Sequence, residues 1–409
     1  MPNKITILIW KLLVWLFVRK IVRRLEMKRN NSQYDYGLLG IIILFMVISC
    51  ISIYSAQTSL PYSSNFALRQ FIWYIIAFSL TAVIYYFDTE QIKRLSFPAY
   101  VFGILLLVIL FLSPSTIAPE IKGIKAWFST PLGSLQPSEF MKVFLIMFLA
   151  KLSVDHNRKF IHRTLYTDSL LIGKIVLGTM IPLVLILLQP DAGTGMVILT
   201  IMIGIIFCSG VSWKILSLLS GWAVLSLGIL TYIYLYQPDL LLVFLDQYQV
   251  NRIHSWLNPF MYSSNIGYQL TQSIFAIGSG MTEGKGFLNG VVDVPEAHSD
   301  FIFTTIGEEY GFIGASIVVV LYFLLLMQVK TITMKNKNEY EALIGVGVIA
   351  MFTFHIFENI GMVIGLVPIT GIPLPLLSYG GSSLLSSLFA LTIILNISAK
   401  SKSYMFHKG

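Results

Sequence analysis

Charge is scarce in this 409-residue chain: Asp, Glu, Lys and Arg make up 12% of it, while 56% is hydrophobic. A soluble domain carries about twice that charge, so an ordinary water-facing globular surface is excluded. Cysteine is scarcer still. Cys50 and Cys208 are the two present, and they fall near opposite membrane faces in the topology below, which rules out a disulfide between them. No Cys and His spacing typical of a metal site occurs either. The first apolar stretch, Ile5–Val18, lacks a small-residue cleavage site after it and is interrupted by Lys11. It is short for a span and lacks the cleavage signal of a secretory leader, so an interfacial helix is expected.

What the chain has instead is a series of apolar runs long enough to cross a bilayer. They predict an all-α polytopic membrane protein with ten spans, at 37–56, 69–87, 97–113, 138–153, 170–189, 192–209, 213–235, 301–328, 341–361 and 378–398. Placing the N-terminus inside puts 22 of the 28 Lys and Arg residues on the cytoplasmic side, the asymmetry expected of a membrane protein with both termini cytoplasmic. The net charge of +8 then reflects topology and attraction to anionic membrane lipid, not nucleic-acid binding. Residues 1–34 form a basic, amphipathic cytoplasmic segment expected to lie on the membrane, with an eleventh span as the alternative. Residues 35–400 form the membrane domain and 401–409 a cytoplasmic tail.

Two outward segments are long, 114–137 and 237–300. The second is a substantial extracellular loop between spans seven and eight. Within it, Leu270, Ile274 and Ile277 share one helical stripe, predicting a helix that lies on the membrane or on the bundle. The stretch "GSGMTEGKGFLNG" has the glycine content of a phosphate cradle, with Lys285 as a point charge, although glycine content alone favours a flexible loop and the spacing is not that of a nucleotide-binding loop.

Ionisable residues are costly inside hydrocarbon, so their depth is informative. Glu139 and Lys142 open the fourth span one turn apart, Asp191 sits in the hairpin "QPDAGTG", Glu308 and Glu309 lie in the eighth span, and Glu358 ends the ninth beside His355 and Asn359. All belong to the outer half. In the inner half charges occur at helix edges, at Asp35, Asp88, Lys174, Lys214 and Lys400. One polar mouth suits an enzyme acting on a lipid-anchored substrate better than a transporter, which needs a path through both halves. The plainer alternative is that these groups neutralise one another as buried pairs.

Asp300 stands just before the eighth span, where it can cap the helix or act as a general base. His298, two residues earlier, can orient it. Glu308 lies roughly 12 Å deeper at helical rise, which assigns Glu308 and Glu309 a supporting role. The prolines and glycines of "PITGIPLPLLSYGGSS" forbid a regular helix between the last two spans and predict either a groove wall or a tight re-entrant turn.

Together "VPEAHSDFIFTTIGEEYGFIG", "FENIGMVIGLVPITGIPLPLLSYGGSS", "LLQPDAGTGMV", "QPSEFMK" and "AIGSGMTEGKG" closely resemble the SEDS family of bacterial shape, elongation, division and sporulation proteins (RodA, FtsW, SpoVE) over residues 35–400. Within it, "NIGMVIGLVPITGIPLP" is most similar to the RodA elongation branch. The resemblance implies a peptidoglycan glycosyltransferase that polymerises lipid II at the outer face of the cytoplasmic membrane, working with a class B penicillin-binding protein. It implies Asp300 as the catalytic aspartate and Glu139 and Lys142 as cavity residues, with Glu296 and His298 in the same motif as Asp300. Arg252 and Lys285 are expected to bind the substrate pyrophosphate alongside Lys142, with a divalent cation such as Mg or Mn as a candidate cofactor. Ser299, where many relatives have Thr, and the N-terminal segment are departures from the pattern. The rival functions are a lipid II flippase and a noncatalytic scaffold for the transpeptidase.

Overall fold

A computed structural model of the chain describes residues 35–59, 65–84, 87–120, 123–130, 133–237, 247–335 and 338–406. The N-terminal segment 1–34 and the last residues of the tail lie outside the described residues, as do the expectations placed on them. The ten predicted spans are helices: α1 (Tyr36–Ala56), α2 (Phe66–Ile84), α3 (Thr89–Leu112), α4 (Pro137–Lys159), α5 (Leu165–Leu187), α6 (Ala192–Cys208), α7 (Trp213–Tyr236), α10 (Ile302–Lys335), α11 (Glu339–Val363) and α12 (Gly381–Phe406). Two short helices, α8 (Gln247–Leu257) and α9 (Tyr268–Ser279), belong to the large loop, and a two-stranded antiparallel hairpin pairs Phe128–Thr130 with Gly133–Leu135.

Among the described residues eight helices are long and apolar enough to span a membrane. The two spans outside that set are exceptions for physical reasons. Helix α6 has only 17 residues. Helix α4 carries Glu139, Lys142, Lys151, Asp155, Arg158 and Lys159, yet it packs against α3, α5, α6, α11 and α12 at the centre of the bundle. Its first polar residues face protein instead of lipid, which is the only way such a helix tolerates hydrocarbon depth. Helix α7 is the opposite case, with Leu216 as its one buried residue. Both cysteines are free.

The eighth span is not the continuous helix its hydropathy predicts. Gly311 takes φ 62°, ψ −161° and breaks α10. A break at membrane depth leaves backbone groups that lipid cannot satisfy. The glycine-rich loop supplies them: the Lys285 and Gly286 N–H groups donate to the Glu308 and Glu309 carbonyls at 3.0 and 2.9 Å, and the Phe312 and Ile313 N–H groups donate to the Met281 and Thr282 carbonyls at 2.9 and 3.3 Å. Side chains would prevent this approach. A Cβ at Gly280 would sit 2.0 Å from the Gly307 oxygen, and one at Gly284, where φ is already +81°, would sit 2.2 Å from the Glu309 oxygen. These glycines serve backbone-to-backbone packing, not a phosphate.

The predicted stripe of α9 does lie on the bundle. Helix α9 packs on α10 and α11, and its Ser273 hydroxyl donates to the Val363 carbonyl at 2.6 Å. Residues 364–380 form a re-entrant loop whose deep portion, 374–378, is buried. Its carbonyls are met by side chains from four spans: Ser49 to Leu377 at 2.8 Å, Gln70 to Ser378 at 3.1 Å, Tyr74 to Leu376, Tyr322 to Pro375 at 2.5 Å, and Asn359 to Ile372 at 2.8 Å. That satisfaction is what permits irregular backbone there.

Candidate functional site

Helix α4 begins at Pro137, a residue suited to the first helical position because its missing N–H would have had no intrahelical partner. The chain reaches it through the hairpin, which is tied to the start of α12: the Gln136 N–H donates to the Ser382 hydroxyl at 3.0 Å and that hydroxyl donates to the Ser134 carbonyl at 3.2 Å. This fixes Glu139 in the first turn of α4. Glu139 Oε1 accepts from Lys142 Nζ at 2.8 Å, and Oε2 accepts from the Ser386 hydroxyl at 2.7 Å. Lys142 Nζ also meets His355 Nε2 at 2.9 Å, and His355 Nδ1 lies 3.2 Å from the Pro373 carbonyl. Since Nδ1 must donate to that carbonyl, neutral His355 presents the Nε2 lone pair to the ammonium. Glu139 and Lys142 are 3% and 1% exposed, so the ion pair is buried with its hydrogen bonds intact, the condition for tolerating such burial.

Above this pair lies a cavity of about 510 Å³, lined among others by Glu139, Asp191, Arg252, Glu296, His298 and Asp300, with Trp73 and Trp127 at its walls. Asp191 caps α6, accepting from the Thr194 N–H at 3.0 Å and hydroxyl at 2.8 Å, and it also accepts from Gln136 Nε2 at 3.0 Å. Burial pushes its carboxyl above the ordinary value, a shift that the two Thr194 bonds oppose. Arg252 projects from α8, which is pinned by Trp256 Nε1 donating to the Gly365 carbonyl at 3.0 Å. Its guanidinium donates to the Thr370 carbonyl at 3.4 Å, while the Thr370 hydroxyl donates to Glu358 at 2.8 Å.

The Asp300 turn is held from several sides. Glu296 adopts φ 60°, a left-handed conformation that costs a non-glycine residue about 1 kcal/mol. Compensating bonds surround it: Ser299 and Phe301 N–H groups donate to its carbonyl at 3.0 and 3.2 Å, and the Ser299 hydroxyl donates to its carboxylate at 3.2 Å. A threonine hydroxyl could make the same bond, which explains why Ser at 299 preserves the motif. The re-entrant loop grips the turn from below, with Ser378 donating to the Ser299 carbonyl at 2.7 Å, the Tyr379 N–H to the His298 carbonyl at 3.0 Å, and Asn359 to the Asp300 carbonyl at 2.7 Å. His298 stacks on Phe66 with ring centroids 4.5 Å apart.

The helix that Asp300 was expected to cap begins at Ile302, so the cap position is Phe301. The Asp300 carboxylate instead faces Gly371, where a Cβ would stand 3.4 Å from Oδ2. Of the sequence-derived site residues, Glu139, Arg252, Glu296, His298 and Asp300 share the cavity. Two do not line it. Lys142 lies one turn deeper, committed to Glu139 and His355, and Lys285 pairs with Glu308 at 2.6 Å in the loop that bridges the α10 break. Glu308 and Glu309 support that loop, accepting also from the Val291 and Leu288 N–H groups. The re-entrant segment serves both expected roles: residues 369–373 and 379–383 wall the cavity while the portion between them is buried. Sequence reasoning put Asp191 in the polar outer stratum and the segment of Thr370 and Tyr379 in a candidate groove wall, but named none of these, nor Gln136, as a site residue. The acid in a hairpin between two spans was the available signal for the first of these.

A helical multi-pass membrane protein with a polar cavity at one end of its bundle, walled by a re-entrant loop and two lateral helices, is the class that this fold and site define. The cell cycle protein family model for FtsW, RodA and SpoVE matches residues 32–403, and the chain belongs to that family. It is 34% identical over 376 residues to a "Probable peptidoglycan glycosyltransferase FtsW" of Trichlorobacter lovleyi, covering 90% of this chain and 94% of that one. It is 33% identical over 388 residues to a protein of the same name in Bacillus subtilis, covering 91% and 92%. Among solved structures it resembles a chain from "Structural coordination of polymerization and crosslinking by a peptidoglycan synthase complex", with TM-score 0.74, 26% identity and coverage of 90% and 98%. It also resembles the Thermus thermophilus rod shape determining protein RodA, with TM-score 0.64, 26% identity and coverage of 89% and 96%. The curated relatives bear the name FtsW, so the narrower expectation of the RodA branch is not supported.

Proposed function

We propose that this chain is a peptidoglycan glycosyltransferase that polymerises lipid II at the outer face of the cytoplasmic membrane. Asp300 takes the proton from the acceptor GlcNAc 4-hydroxyl as that oxygen bonds to the donor MurNAc C1. The C1–oxygen bond to undecaprenyl pyrophosphate breaks with inversion, and the pyrophosphate leaves with the electron pair. The observation that carries this reading is that Asp300 and Arg252 line one cavity whose floor is the buried Glu139–Lys142 pair. A base and a cation thus share one cavity above a buried, mutually neutralised pair.

That floor favours the enzyme over a flippase. Of the three cations expected to meet the pyrophosphate, Arg252 is the one in the cavity; Lys142 acts by holding Glu139. The lining is acidic on balance, which leaves the leaving group short of positive charge. A divalent cation arriving on the pyrophosphate would supply it. Among the described residues no three His, Cys, Asp or Glu side chains converge as a metal site, so this chain offers no cage of its own, and such an ion would take most of its ligands from phosphate oxygens and water.

We further propose a class B penicillin-binding protein as partner, in line with the likeness to a chain of a peptidoglycan synthase complex, and cytoplasmic placement of both termini, in line with the basic-residue bias. The FtsW relatives favour a role in division over elongation; a fluorescent fusion concentrating along the side wall instead of at the septum would reverse that assignment. The test of activity uses purified protein with its partner and lipid II. Wild type makes glycan polymer and Asp300→Ala makes none. Polymer from Asp300→Ala at the wild-type rate would overturn the assignment of the base, and lipid translocation without polymer from either protein would favour the flippase.

A further inference from the structure

At the end of α4 remote from Glu139, Phe148, Lys151, Leu152, Asp155 and Lys159 recur at three- and four-residue spacing and so share one face. With His156 of the same helix, Phe97 of α3 and Lys174 of α5, they enclose a recess of about 340 Å³. Residues 151–159 lie roughly 18–30 Å along α4 from Glu139 at helical rise, which sets the recess at the opposite membrane surface from the Asp300 cavity.

The recess is a built cation cluster. Its one acid, Asp155, is taken by Lys93 from α3 at 3.1 Å. No acid among the described residues lies in ion-pair range of Lys151, Lys159 or Lys174. His156 holds Lys174 in place: one ring nitrogen faces the Thr167 carbonyl at 3.1 Å, which requires that nitrogen to donate, and so leaves the other as the acceptor for Lys174 Nζ at 3.2 Å. The Phe160 ring lies 5.7 Å from Lys159 Nζ and 6.0 Å from Lys174 Nζ, attracting both ammonium groups to one spot. Lys159 and Lys174, drawn to one ring with Lys151 on the same recess and Asp155 already paired, repel one another, and an anion placed between them removes that repulsion. The remaining walls, Phe97, Phe148 and Leu152, are apolar, and Phe97 is exposed on the lipid-facing side.

We infer that this recess binds the phosphate of an anionic phospholipid headgroup, with Lys151, Lys159 and Lys174 around the phosphate and the acyl chains running along Phe97 and Phe148. Basic pockets between transmembrane helices recognise such headgroups, and each lysine at the membrane surface contributes about 1 kcal/mol, a factor of roughly five. The inference is independent of the glycosyltransferase reading.

The test is native mass spectrometry of the full chain from nanodiscs, counting retained phosphatidylglycerol or cardiolipin against phosphatidylcholine. K151Q/K159Q/K174Q should lose anionic-lipid affinity by on the order of 100-fold, and K151Q alone by roughly fivefold, which covers the case in which the triple variant does not fold. K214Q/K330Q/K335Q, which removes three exposed lysines elsewhere, should lose clearly less than the recess triple variant does. Equal loss in the two triple variants would reduce the effect to general charge attraction and overturn the site. Displacement of the lipid by millimolar inorganic phosphate would assign the recess to a free phospho-anion and overturn the lipid assignment.

Discussion

Replacing Lys142 with methionine keeps the unbranched apolar stem and deletes the ammonium. Glu139, 3% exposed, would then retain only the Ser386 hydroxyl at 2.7 Å, and His355 Nε2 would lose the donor now 2.9 Å away. Removing one member of a buried ion pair strands the other, at about 3–5 kcal/mol. Replacing both, in Glu139→Gln with Lys142→Met, leaves no stranded charge and should restore all but about 1–2 kcal/mol, since well-packed neutral substitutes for buried pairs are close to neutral. Glu139→Gln alone strands Lys142 at a similar cost, so the expected coupling, the two single losses together less that of the double variant, is roughly 4–9 kcal/mol, larger than is usual for groups in contact because each single variant leaves a buried charge. It is read from equilibrium unfolding of the purified protein and its three variants in one detergent, with lipid II polymerisation measured alongside. If Lys142 were instead a cation that touches pyrophosphate, Lys142→Met would unfold like wild type while losing activity. That result would refute the argument that its ammonium is spent on Glu139 and His355.

The other expectations concern neighbouring parts of the same architecture. Asp300→Asn should fold with an unchanged melting temperature yet polymerise about 10²–10⁴-fold more slowly, the range for loss of a general base; a loss of under tenfold would argue against that role. Gly280→Ala places a methyl group 2.0 Å from the Gly307 oxygen and should destabilise by at least about 2 kcal/mol, whereas Gly278→Ala meets nothing within 4 Å and should be neutral, as thermal unfolding will compare. Lys285→Met should weaken folding by about 1–3 kcal/mol, since Glu308 is buried but keeps the Val291 and Val292 N–H donors, and should leave the KM for lipid II unchanged. Arg252→Met should raise that KM by roughly tenfold or more, as expected for losing a charged bond to the substrate; the reverse pattern would return Lys285 to the substrate site.

The ten spans, their order and the one-sided placement of ionisable groups were legible in the sequence because they depend on local hydropathy and on the cost of charge in hydrocarbon, which act residue by residue. Five of the seven site residues meet in the cavity: Glu139, Glu296, His298 and Asp300 from motifs, and Arg252 from its position in the outer loop. What remained hidden depends on contacts between distant segments. Gly311 gives no local warning that α10 breaks, because the break is stable only where the Lys285 and Gly286 N–H groups arrive from another loop. For the same reason Lys285 looked like a phosphate ligand: its glycine neighbours fit an anion cradle or a close backbone contact equally well, and only the position of Glu308 separates the two. The depth of Lys142 was likewise undecided until His355 from α11 took up its remaining hydrogen bond. Hydropathy determined what enters the membrane; which cation faces the substrate was decided by tertiary packing, because a charge is used up by whichever partner the fold brings within 3 Å.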